Sequence, residues 1–338
     1  MTPTLYTSAN LAYLPQALVL LESLRASNPD CRLVLVLVDQ VPDDDLTLAM
    51  LGSFDEVIVA RDLFDIGFSQ WIFGHDVVEA CTAVKGRALQ VLLDRSDVIY
   101  VDPDMAVFGS LDEFIAELGT TSVLLTPHVL GPEPPGSPHL GDELLALRHG
   151  AYNFGMFGVT STPEGRGFAD WWTTRLQEFC IDDVADGLFT DQRWGDLVPS
   201  LFPSAAICRH PGVNVASWNL HQRPITMSPE GDHLVAGRPL VSYHFTKARD
   251  VGLRVSRSKM ESNPLAADLW RWYLERLEFH TAAVPAHRWA HADHADGVPI
   301  SRDRRRWFRA QWGRPDLPVD PFALRSDDPW WGESTSIA

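Results

Sequence analysis

The residues best suited to chemistry lie in the stretch 98–111, VIYVDPDMAVFGSL, where Asp102 and Asp104 stand two apart at the end of an apolar run. Pro103 biases Asp102 towards extended backbone, and in an extended chain residues two apart share a side. Two carboxylates facing one crevice repel each other unless a cation joins them. Oxygen ligands of this kind suit Mg²⁺ or Mn²⁺. A polar turn after a strand explains the same residues equally well, because Asp and Pro are common there.

Further candidates are scattered along the chain. His244, in VSYHFTK (241–247), could supply a nitrogen ligand to that metal; the plainer alternative is a hydrogen-bonded core histidine. Lys85, in CTAVKGRA (81–88), stands with Arg87 around Gly86 and could neutralise a diphosphate beside a carboxylate–metal site, or simply be a solvated helix charge. YNFGMFG (152–158) offers the Asn153 amide and close-approach glycines ahead of a strand. Asp191, Gln192 and Arg193 are a carboxylate, an amide and a guanidinium in a row, a set that can hydrogen-bond sugar hydroxyls. Among the 12 tryptophans, Trp194 and Trp218 are expected as pocket walls and Trp171, Trp172 and Trp270 as core. The cluster Arg302–Arg306 suggests either peripheral contact with an anionic membrane or lipid-linked acceptor, or a solvated helix end.

These side chains need a scaffold, and the first hundred residues alternate strand and helix signals. Leu5 and Tyr6 open a strand that breaks at Ser8-Ala9-Asn10. Leu14, Ala17, Leu18, Leu21 and Leu24 recur at helical spacing up to Asn28-Pro29. CRLVLVLVD (31–39) is apolar on both faces, as a strand covered by helices on both sides would be. Strands over 57–59 and 97–101 and a helix over 77–94 continue the pattern. Parallel strands joined by helices make a doubly wound sheet, whose ligands collect beyond the carboxyl ends of the strands. Later, 131–141 (GPEPPGSPHLG) holds four prolines and reads as a surface loop or flap. Strands are expected over 157–159 and 240–245, and helices over 165–179 and 265–279. The organisation expected is one α/β domain over 1–285 and an irregular C-terminal appendage over 286–338.

Composition limits what this scaffold can serve. The 338 residues are 45% hydrophobic, ample for a core, and the net charge of -17 argues against a nucleic-acid partner. Four dispersed cysteines form no metal-binding or disulfide pattern, which points to a reducing cytoplasm. Residues 1–10 carry no export signal, and the longest apolar run is far too short to span a membrane.

Taken in order, YTSANLAYLPQALVLLESL, TAVKG, YVDPDMAVFGSL, YNFGMFGV, FTDQRWGDLVP and SYHFTK resemble the GT-A glycosyltransferases, in particular the retaining, family-8-like bacterial enzymes, over about residues 4–250. The resemblance implies an α/β GT-A fold with a mixed central sheet flanked by helices. It implies a nucleotide-sugar donor, a UDP-sugar, with Mn²⁺ or Mg²⁺ as cofactor and retention of anomeric configuration. The acceptor class stays open: glycan, glycolipid, protein or small molecule. By the same resemblance Asp102, Asp104 and His244 hold the metal, Asp102 also meets the ribose, and Tyr13 stacks on the base. Lys85 lies near the diphosphate, and Asn153, Asp191 and Gln192 line the sugar pocket, the last two as catalytic residues. Thr7, Ser8 and Asn10, at the end of the first strand, are expected in the donor site. The family usually has an aspartate before the stacking tyrosine, where this chain has Ser8-Ala9-Asn10. After the histidine the family usually has a glycine and then Lys-Pro-Trp, where this chain has Thr246-Lys247-Ala248-Arg249, which shifts the expected phosphate contacts to Lys247 or Arg249.

Three other functions compete. A haloacid-dehalogenase-like phosphatase wants a hydroxyl after the second aspartate, and Met105-Ala106-Val107 supplies none. A nucleotidyltransferase wants a glycine-rich basic loop after the first strand, which Thr7-Ser8-Ala9-Asn10 is not. A nucleotide-sugar-binding protein without transfer activity would carry the same motifs.

Overall fold

The computed structural model describes residues 2–248, 260 and 263–336. Its strands, in chain order, begin with β1 (Thr4–Ala9), β2 (Leu33–Leu37), β3 (Glu56–Val59), β4 (Val98–Val101) and β5 (Met105–Val107). There follow β6 (Val123–Pro127), β7 (Tyr152–Val159), the short hairpin β8 (Asp182–Asp183) and β9 (Leu188–Phe189), and β10 (Ala206–Ile207). The central sheet has seven strands in the order β10-β6-β7-β4-β1-β2-β3. β1 is parallel to β2 and β4, whereas β7 runs antiparallel between β4 and β6. The expected mixed α/β sheet flanked by helices is therefore present.

Alternation builds the two layers. Tyr6, Val34, Val36, Val98 and Tyr100 face a core shared with the helices Val77–Leu93 and Pro163–Phe179. Leu5, Leu33, Leu35, Ile99 and Val101 face the opposite core with the helix Leu14–Ser27. The helix Val77–Leu93 starts from a capping box in which Asp76 accepts from the Glu79 N–H at 2.9 Å and the Asp76 N–H donates to Glu79 at 3.3 Å. Gly86, within it, lets the Pro163–Phe179 helix approach: a Cβ there would lie 2.8 Å from Thr173 Cα.

A second sheet carries one end of the site. β11 (Val215–Ala216), β15 (Ser242–His244) and β5 pair in that order, with β15 antiparallel to β5, so His244 stands opposite Met105. Between them in sequence, β12 (Ile225–Met227), β13 (His233–Val235) and β14 (Arg238–Pro239) form a small antiparallel sheet. β7 begins at Tyr152, so YNFGMFG lies inside the strand and not ahead of it. The helix Pro264–Ala283 follows, with Trp270 and Tyr273 buried in a third cluster.

The chain beyond residue 285 folds back onto the sheet. Trp289 Nε1 donates to the Val38 carbonyl at 2.9 Å, and Phe308 and Trp331 pack with Phe73. The basic cluster lies on the helix Arg302–Arg309 and divides: Arg305 is buried, contrary to a membrane-docking patch or a solvated helix end, whereas Arg304 and Arg306 are half-buried and Arg302 is exposed. Arg305 is buried and donates to the carbonyls of Phe73, His75 and His291 at 3.1, 2.9 and 2.6 Å. Arg302 is bonded to Asp76, Arg306 to Asp183 and the Asp182 carbonyl, and Arg304 lies over the Trp331 ring. Lifting Arg305 out would leave its buried carbonyl partners unpaired. Among the described residues, no helix is long and apolar enough to cross a membrane.

Candidate functional site

The acid pair occupies a turn at the carboxyl end of β4. Met105 N–H donates to the Asp102 carbonyl at 3.1 Å, so the segment is closed and not extended as expected. The carboxylates nevertheless converge, because neighbouring segments are stitched to this turn. Asp102 N–H donates to the Gly155 carbonyl at 2.7 Å, and Phe245 N–H donates to the Asp104 carbonyl at 2.9 Å. His244 Nε2 thereby lies 3.0 Å from Asp104 Oδ1 and 3.8 Å from Asp102 Oδ2. Gly155 is required for this approach, since a Cβ there would sit 2.6 Å from the His244 ring. Burial alone would neutralise both members of the His244–Asp104 pair. Their mutual attraction outweighs it, holding Asp104 below the usual carboxylate range and His244 above the usual histidine value.

Two carboxylates and an imidazole nitrogen within 4.8 Å of one another make a donor set that fits a hard divalent cation. Asp102 turns one oxygen to this centre and the other away. Its Oδ1 accepts from the Tyr100 hydroxyl at 2.7 Å and from Lys85 Nζ at 3.1 Å.

Lys85 is not the solvated helix charge its sequence neighbours allow, nor is its ammonium free to meet a diphosphate. It is 4% exposed, sits 4.1 Å from the Tyr100 ring centroid, and is shared between Asp102 and Asp191, the latter at 3.0 Å. Burial opposes its charge, but Asp102 and Asp191 raise its pKa further. Asp191 is pushed up by burial, with Lys85 resisting the shift.

Asp191 and Gln192 enter this interior from the segment after β9. Thr190, just before them, holds a left-handed backbone (φ 45°), which a β-branched residue adopts only under constraint, and its hydroxyl donates to Asp191 at 3.1 Å. Gln192 Oε1 accepts from Asn153 Nδ2 at 3.1 Å and Phe154 N–H at 3.3 Å, while its Nε2 donates to the His149 carbonyl at 2.9 Å. Arg193 and Trp194 turn away from the expected sugar pocket. Arg193 is paired with Asp196, and Trp194 packs on Trp171 and Phe179. Trp218 is at the site, edge-on to His244 with centroids 5.3 Å apart.

The donor candidates on the first strand divide. Thr7 and Ser8 are enclosed in the sheet, and the Ser8 hydroxyl is spent on the Cys81 carbonyl (2.7 Å) and Tyr100 (3.1 Å). Neither presents its hydroxyl to the crevice, because β1 continues to Ala9 where a break was expected. Asn10 is buried, and its carbonyl accepts from Tyr13 N–H at 3.0 Å. Tyr13 stays 41% exposed near the acid pair; partial desolvation and the Asp104 charge push its hydroxyl up to about 12. Lys247 is exposed in a left-handed conformation (φ 50°), and Arg249 lies outside the described residues.

Sequence reasoning missed four supporting residues. Tyr100 links Ser8, Lys85 and Asp102. Asn214 Nδ2 donates to Asn153 Oδ1 at 2.9 Å, and His128 Nε2 lies 3.3 Å from Asn153 Nδ2. Asp39 accepts the N–H groups of Leu11, Gln40 and Ala290 at 3.2, 3.1 and 3.0 Å, tying the loop before Tyr13 to the C-terminal segment. The signal for Asp39 was present, a carboxylate ending the apolar run of β2. Nothing local distinguishes Asn214 or His128.

No known family model matches the chain. YfnF of Bacillus subtilis, an uncharacterized protein, is 26% identical over 288 residues, covering 83% of this chain and 94% of that protein. Among solved structures, the chain is similar to the galactosyltransferase LgtC in complex with donor and acceptor sugar analogs (14% identity, TM-score 0.49, 84% of this chain and 97% of that one). It is similar also to the glycosyltransferase GlyE of Streptococcus pneumoniae TIGR4 (14% identity, TM-score 0.46, 84% and 66%).

Proposed function

We propose that this protein is a glycosyltransferase that moves a sugar from a nucleotide-sugar donor, a UDP-sugar by its motif resemblance, with retention of configuration. The observation that carries this is the convergence of Asp102, Asp104 and His244 beside a buried Lys85–Asp191 pair and the Gln192–Asn153 amides. Mn²⁺ or Mg²⁺ held by the first three would supply Lewis-acid stabilisation of the departing diphosphate.

The protein's own groups do the rest. Tyr13 offers an open ring to the base, and Lys247 is an exposed cation following the histidine strand. Lys85 acts one layer behind, offsetting the charges of Asp102 and Asp191 so that several carboxylates can sit together. Gln192 and Asp191 steady the positive charge that develops at the anomeric carbon as the bond to phosphate breaks, an electrostatic role for which fixed dipoles are well suited. Gln192 is fixed at both ends of its amide.

Nucleotide release from a panel of nucleotide sugars, with and without Mn²⁺, tests this reading. One donor should be hydrolysed slowly in a metal-dependent way. Binding without turnover assigns the chain to nucleotide-sugar binding alone, and neither binding nor release across the panel overturns the proposal.

A further inference from the structure

A second cluster of metal-ligating groups lies where the proline-rich loop 131–141 meets the segment after Trp218. His221 Nδ1 is 3.4 Å from Asp142 Oδ2, and His139 Nδ1 is 3.8 Å from the same oxygen. The two imidazole rings stack in parallel with centroids 4.1 Å apart. The three ligand atoms fall within 4.8 Å of one another. A tetrahedral ion with bonds of about 2.0–2.1 Å separates its ligands by roughly 3.3 Å, so small side-chain movements complete the geometry.

The wiring of His221 points the same way. Its side chain is 10% exposed, yet Nδ1 has no hydrogen-bond partner among the described residues. Its other nitrogen, Nε2, is held by Glu133 Oε1 at 2.7 Å. A carboxylate on the far nitrogen fixes the tautomer that leaves Nδ1 with its lone pair facing the cluster, the outer-shell arrangement metal-bound histidines use. Glu133 is itself fixed by Ser137 and Gln222, both at 2.6 Å. Two imidazoles and one carboxylate form a softer donor set than the acid pair at β4, which selects zinc over magnesium.

We propose that His139, Asp142 and His221 form a zinc site, with Glu133 as the positioning carboxylate, that pins the 131–141 loop to the segment carrying Trp218 and Asn219. Three protein ligands leave a fourth position, and His139, at 37% side-chain exposure, stands at its mouth. Asn219 donates to the His128 carbonyl at 3.1 Å, so the pinned segment continues directly into the wall of the site described above.

Zn²⁺ titration by calorimetry, in excess Mg²⁺ to occupy the oxygen-rich centre, tests the assignment on the full chain. Wild type and Asp104→Asn should each take up one equivalent of Zn²⁺, which separates this site from the catalytic proposal. His139→Ala, a change at a partly exposed ring, should abolish that uptake while leaving the zinc-free melting temperature unchanged. Glu133→Gln should weaken uptake by about 10- to 100-fold. Absence of the equivalent in wild type, or uptake indifferent to His139→Ala, overturns the proposal.

Discussion

Lys85 balances two carboxylates, Asp102 and Asp191, with one ammonium. Replacing it with methionine strands two carboxylates beside a buried tyrosine, and removing one partner of a buried ion network costs about 3–5 kcal/mol. Urea unfolding of Lys85→Met should show a loss of that order, and adding Asp191→Asn should restore part of it. A Lys85→Met protein as stable as wild type contradicts the pairing. Gln192 makes a separate prediction. Its amide is anchored on both sides, so Gln192→Ala should lower kcat by more than it raises KM for donor. The reverse split reassigns Gln192 to recognition. His244→Ala should weaken Mn²⁺ binding, and an unaltered Mn²⁺ titration returns the histidine to a packing role.

At the scale of elements, the site depends on two backbones approaching where side chains would not fit. Gly155→Ala places a methyl against the His244 ring and should reduce Mn²⁺ affinity and stability together, overpacking costing about 1–3 kcal/mol. Gly86→Ala should also destabilise, although alanine is the better helix former, because Thr173 fills the space. Both are checked by melting and Mn²⁺ titration, and a stabilised Gly86→Ala would contradict the helix contact. These elements were partly legible beforehand. The apolar runs of β2 and β4 and the helices Leu14–Ser27 and Val77–Leu93 show in local periodicity, because each buries a continuous stripe or both faces. β6, β10 and the antiparallel insertion of β7 were not, since pairing direction is a long-range property. The acid pair and His244 were found for a partly wrong reason: the expected extended segment is a turn, and β5–β15 pairing brings the histidine in. Whether Lys85 or Arg305 points inward depends in part on partners a hundred or more residues away, so helical spacing alone could not choose between a buried and a solvated side chain for either.

For the whole molecule, buried neutral histidines work against stability at acid pH. Burial lowers His128 to about 4, and burial with the Arg305 charge lowers His291 to about 4, from an ordinary 6.5. Between those values the unfolded chain binds protons that the folded chain refuses. Stability should therefore fall as pH drops from 6.5 towards 4, by on the order of 3 kcal/mol for each group. Urea melts across that range should show the slope, and His291→Phe should flatten it; a flat wild-type profile contradicts the burial of these rings. His291 lies in the segment that packs back over β2 and the helix Phe68–Phe73, so the same measurement reports how firmly that segment is seated.

Asp102, Asp104 and His244 are proposed together to grip the ion on which a nucleotide diphosphate sits. Anomalous diffraction from a crystal grown with Mn²⁺ and UDP tests it most directly. One manganese peak is expected within bonding distance of both carboxylates and His244 Nε2, touching the diphosphate, and absent in Asp104→Ala. Bound UDP with no manganese at these three side chains would contradict it.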